Sequence, residues 1–99
     1  MQPFINTVSV GTLDAAGGCQ THAGEEFLLV LSGSIRMHFE GRDSELLNEG
    51  DSIYFHGSLA HAYVNAAKQP SRILVVTSSG YSGSVRTSSV TQLNRAGIR

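Results

Sequence analysis

The chain has 99 residues, of which 40% are hydrophobic and 15% charged, and its formal net charge is −1. That length suits one domain with one core. The charged fraction lies below the roughly 25% of an average soluble domain. Arg36, Arg42, Lys68, Arg72 and Arg86 are scattered, so there is no basic stripe to neutralise a phosphate backbone, and direct nucleic-acid binding is not expected.

No apolar run approaches the length needed to span a bilayer, the longest being of the size of Phe27 to Leu31, so membrane insertion is not expected. Met1-Gln2-Pro3-Phe4 lacks the charged segment and apolar stretch of a secretion signal. Cys19 is the only cysteine, so no intrachain disulfide forms, and a reducing cytoplasm is the expected location.

In chain order, short strand-like runs are punctuated by glycine, with no sustained helical period, which predicts an all-β sandwich or barrel. Residues 4–10 read as a first strand and residues 14–18 as a loop. Residues 26–31 are apolar on both faces and read as a central strand, turned by Ser32-Gly33-Ser34. Residues 35–40 alternate, with Ile35, Met37 and Phe39 on the buried face. Gly41-Arg42-Asp43 reads as a hairpin turn, and Leu46-Leu47 leads into a second tight turn at Asn48-Glu49-Gly50-Asp51. Further strands are expected at 52–55, 61–65 and 72–77, with breaks at Gly57-Ser58 and Lys68-Gln69-Pro70. A barrel domain over residues 1–77 is therefore expected. Residues 78–99 read as a polar, Ser/Gly-rich tail, either flexible or docked as an edge strand or on a partner subunit.

Residues able to ligate a metal fall into two clusters: Gln20, His22 and Glu26, then His61 with Asn65. Strand positions i and i+2 share a face, so Gln20 and His22 can point into one cavity. Glu26 follows after Ala23-Gly24 and is expected to face inward with Leu28 and Val30. A strand carrying His61 completes the set if the sheet closes on itself. Leu28, Val30, Phe55, Tyr63 and Asn65 are the expected pocket lining. His38 and Glu25 are expected on the outer face, His56 at a strand end, and Cys19 opposite Gln20. There is no nucleophile elbow, phosphate-binding glycine loop or catalytic carboxylate pair in the sequence.

The two clusters resemble the motifs of the cupin superfamily. Gln20, His22, Glu26 and Gly33 fall on its first motif, G-x5-H-x-H-x3-4-E-x6-G, over residues 20–33. Gly50, His56, Ser58, His61 and Asn65 fall on its second, G-x5-P-x-G-x2-H-x3-N, over residues 50–65. The wording is similar to that of small single-domain cupins and of the sensor domains of bacterial regulators. The resemblance implies a double-stranded β-helix, or jelly-roll, barrel with a ligand cavity inside, and a homodimer, toward which the low charge also points. It also implies Gln20, His22, Glu26 and His61 as ligands of a divalent iron, manganese, nickel or zinc ion. Gln20 stands where the family has histidine, His56 where it has proline and Ser58 where it has glycine. An amide oxygen binds such metals more weakly than imidazole does. His22, Glu26 and His61 still make a two-histidine, one-carboxylate set. Two functions follow as expectations. One is a module that binds a small molecule, with or without a divalent metal. The other is a metal-dependent enzyme, a dioxygenase or isomerase acting on a small polar metabolite.

Overall fold

A computed structural model describes residues 2–78 and 90–94, with only the backbone described at residue 2 and over 90–94. Eight strands follow in order: β1 (Gln2–Val8), β2 (Glu25–Ser32), β3 (Ser34–Phe39), β4 (Glu45–Asn48), β5 (Ser52–His56), β6 (His61–Asn65), β7 (Ser71–Ser78) and β8 (Val90–Asn94). The described residues contain no helix, and so none long and apolar enough to cross a membrane. The all-β jelly-roll expectation is met.

Two sheets face each other. One has the order β1-β7-β2-β5-β8, the other β4-β3-β6. All pairings within them are antiparallel. The alternation read from the sequence decides which side chains enter the space between. In β2, Glu26, Leu28 and Val30 point inward, and in β3 Ile35, Met37 and Phe39 do so. Glu26 apart, they form one apolar core with Val8, Leu47, Ile53, Phe55, Ile73 and Val75. Burying a side chain of this size contributes about 1.5–3 kcal/mol.

The strand expected at residues 4–10 begins earlier and ends at Val8, because β1 takes its register from β7, pairing Gln2 with Thr77 through Val8 with Ser71. Leu46-Leu47 is more than the approach to a turn. It lies in β4, which pairs with β3 and sends Leu47 into the core while Leu46 stays exposed. Two apolar residues are too short a run to show a period. Within the segment expected as a tail, Ser78 closes β7 and Val90–Asn94 pairs with β5 at the sheet edge; 79–89 and 95–99 lie outside the described residues.

The β2–β3 turn illustrates the tight fit. Gly33 has φ +83°, and a Cβ there would come within 2.2 Å of Ser71 Oγ. That hydroxyl accepts a hydrogen bond from the Ser34 amide at 3.0 Å.

Candidate metal centre and cavity

The inward face of β2 ends at Glu26, whose neighbours on the same face are core residues. Glu26 is nearly fully buried, with 5% of its side chain exposed, and a buried carboxylate needs partners. Two imidazoles supply them. His22 Nε2 lies 2.8 Å from Glu26 Oε1, and His61 Nε2 lies 3.4 Å from the same oxygen. The ligand atoms of the three residues all lie within 4.8 Å of one another.

Backbone pairing sets this convergence. The segment before β2 runs beside the start of β6: the Gln20 amide donates to the His61 carbonyl and the His61 amide to the Gln20 carbonyl, both at 2.9 Å. Two residues on, the His22 amide donates to the Gly57 carbonyl at 2.9 Å. The rings then meet edge to face with centroids 4.9 Å apart. Phe55 supports His61 from the core side, with centroids 4.6 Å apart, and Phe39 supports Phe55 in turn.

The far nitrogens fix the tautomers. His22 Nδ1 lies 2.9 Å from the Ala23 carbonyl oxygen, and His61 Nδ1 lies 2.7 Å from that of Leu59. A carbonyl only accepts, so each Nδ1 carries the hydrogen, and each imidazole in its neutral form presents an Nε2 lone pair to Glu26. Three acceptors therefore point at one place, an arrangement that calls for a proton or a cation among them. Backbone carbonyls that hold the second nitrogen in this way are the usual outer support of metal-binding histidines. The residues present fit a divalent metal.

In the metal-free centre, burial opposes a charge on His61. The hydrogen bond to Glu26, the Leu59 carbonyl and the Glu26 charge outweigh it and hold the His61 pKa above the ordinary imidazole value. The Tyr63 phenol is raised as well, chiefly by burial; the Asn6 hydrogen bond acts the other way and the Glu26 charge adds to the rise.

Beside the three residues opens a cavity of about 760 Å³. Gln20, His22, Glu26, His61 and Tyr63 all line it. Gln20 is exposed, and its pairing opposite His61 puts the two side chains on the same side of the ladder. Leu28, Val30 and Phe55, expected along the pocket, are instead sealed in the core, because the two sheets close on each other away from the mouth. Asn65 is likewise away from the cavity. Its side chain ties the β6–β7 turn, donating to the Ala67 and Gln69 carbonyls and accepting from the Ala67 amide.

The walls that sequence reasoning missed come from β1 and β7, through residues such as Asn6, Val8, Val75 and Thr77. No local motif marks them. Only the β1–β7 register brings them to the site.

Of the other residues singled out, Glu25 accepts a hydrogen bond from the Tyr54 hydroxyl, and His56 Nδ1 lies 4.0 Å from it. His38 is half-buried rather than solvent-facing. Cys19 is half-buried too, and burial, then the Glu40 charge, push its thiol pKa up.

The model of the cupin domain matches residues 8–77. No curated protein matches the chain. Among solved structures, the chain is similar to FeII HppE, at 30% identity and a TM-score of 0.68, over 77% of this chain and 42% of that one. It is similar to CoII HppE in complex with substrate, at 29% identity and 0.63, over 77% and 43%. A third is hydroxypropylphosphonic acid epoxidase from S. wedmorenis in complex with fosfomycin, at 28% identity and 0.65, over 77% and 42%. The chain thus spans about two fifths of the length of these neighbours. With this fold and both motifs in place, the chain belongs to the cupin domain family.

Proposed function

We propose that this protein is a small-molecule-binding cupin that holds a divalent metal on His22, Glu26 and His61, with its ligand in the adjoining cavity. The observation that carries this reading is the convergence of two imidazole Nε2 atoms on one carboxylate oxygen, with both Nδ1 hydrogens already committed to backbone carbonyls. The similarity to FeII and CoII HppE favours iron or cobalt over a purely structural role for the histidines. Gln20 lines the cavity close to this centre, as a weak ligand or as a hydrogen-bonding group for water or ligand.

A second reading, a metal-dependent enzyme of the dioxygenase or isomerase class acting on a small polar metabolite, draws on the neighbour solved in complex with substrate. A bound metal would supply Lewis acidity or redox chemistry. The chain itself would supply its three ligands and a cavity wall rich in uncharged hydrogen-bonding groups. Among the described residues the cavity lining offers no charged acid or base besides Glu26, His22 and His61, which favours the binding module.

Elemental analysis of the purified protein, beside a Gln20→His variant, tests the metal. Near-stoichiometric metal in the wild type is the expected result. Metal in the variant alone would mean an eroded centre, and the proposal would fall.

The partner we propose is a second copy. On the outward face of the five-stranded sheet, Phe27 stands opposite Tyr54 and Val76, and Leu29 opposite Leu74, which stands opposite Ile5. Ile5 is 54% exposed. An apolar stripe on the side of a sheet turned away from its core calls for a cover. The lone Cys19 suits a reducing compartment, and the cytoplasm is the location we propose.

A further inference from the structure

The chemistry of the cavity wall limits what the metal centre accepts. Two neutral imidazoles and one carboxylate on a divalent ion leave a net charge of +1. A ligand with one negative charge neutralises the centre. A ligand with two costs more to desolvate, and its second charge is left without an opposite partner unless a cation stands near.

Among the described residues no lysine or arginine lines the cavity. Arg36 bonds Ser44 on the β4 side, while Arg42, Lys68 and Arg72 are exposed on turns or on the outward side of β7. What the wall does offer is uncharged. Val8 and Val75 form an apolar flank, and Phe4, 47% exposed, stands at the mouth.

The β6 side of the cavity supplies a prepared donor. Tyr63 lies two residues beyond His61 on β6, so the two side chains share a face, with Cα atoms about 7 Å apart along the strand. Asn6 Nδ2, from β1, donates to Tyr63 Oη at 3.1 Å. That bond occupies a lone pair of the phenol and leaves its own hydrogen to be donated elsewhere. The phenol lines the cavity.

We infer that the cavity takes a small oxygen-bearing ligand of at most one negative charge, such as a hydroxy acid, held at one end by the metal and at the other by the Tyr63 phenol. Asn6 is a positioning residue that aims the phenol. The inference rests on the metal reading above.

The test uses the full chain loaded with cobalt(II), whose visible spectrum reports on ligands entering its coordination sphere. Lactate and hydroxymethylphosphonate are compared at pH 8, where the first carries one negative charge and the second two. In water the phosphonate is the stronger cobalt ligand. In this protein lactate is expected to bind more tightly. Tyr63→Phe is expected to weaken lactate about 2–10-fold, the effect of one hydrogen bond to a neutral group, with cobalt content unchanged. Asn6→Leu is expected to weaken it less, through a misdirected phenol.

Phosphonate binding as tight as lactate would overturn the charge limit. Wild-type lactate affinity in Tyr63→Phe would overturn the role of the phenol. Failure of the wild type to hold cobalt would overturn the metal reading itself, a result readable before any ligand is added.

Discussion

The imidazole of His22 lies against the bare backbone of Gly57: a Cβ on Gly57 would come within 2.4 Å of both Cε1 and Nδ1 of that ring and 2.6 Å of the His22 carbonyl oxygen. No positive φ is involved at this glycine, so its role is one of space alone. Gly57→Ala is therefore expected to fold, to displace His22 and to lower metal affinity about 10–100-fold, as for loss of a group that orients a ligand. Competition with a chromogenic chelator measures it. Wild-type affinity would show that His22 is not a ligand.

Removal of metal should reverse the pH dependence of stability. In the metal-free protein the raised pKa of His61 means that the folded state holds this proton better than the unfolded chain does. That contribution is fully present below about pH 6.5, the unfolded imidazole value, and is lost as pH rises through the folded pKa. A metal instead needs the imidazole neutral, so its stabilisation grows with pH. The increase in Tm on adding cobalt is expected to be larger at pH 8 than at pH 6. Thermal scans with cobalt and with chelator check both limbs.

Phe55 couples the core to the centre, fully buried between the Phe39 and His61 rings. Phe55→Leu keeps an apolar side chain but loses both edge contacts. It is expected to cost about 1–2 kcal/mol, a drop of about 5–10 °C in Tm for a domain of this size, and to weaken metal binding by loosening His61. A Tm loss with unchanged metal affinity would show that His61 is held by its Glu26 and Leu59 bonds alone.

If a second copy covers the outward stripe, a charge placed there must disperse the assembly. Phe27→Glu and Leu74→Lys are each expected to convert a dimer to a monomer with metal content retained, because these side chains face away from the cavity. Light scattering after size exclusion gives the mass. A monomeric wild type would end the dimer proposal.

Much of the fold is readable along the chain because antiparallel strands with one buried face impose a two-residue period, as in Ile35, Met37 and Phe39. His22, Glu26 and His61 are legible too, since the motif spacings carry them. Leu28, Val30 and Phe55 mark the limit. Their inward orientation follows from alternation, but whether an inward residue lines a cavity or fills the core depends on how far apart the sheets stand at its level. The same holds for Asn65, whose motif position suggested the pocket and whose side chain in fact closes a turn.

The sequence by itself determined the strands, the inward faces and the three residue types of the centre, because these depend on local period and short spacing. Tertiary structure alone decided that two histidines 39 residues apart in the chain share one carboxylate oxygen. It also decided that β1 walls the cavity and that Asn6 bonds Tyr63 in that wall. Those are matters of register between strands distant in sequence, set by the summed burial of whole faces and by the backbone ladder.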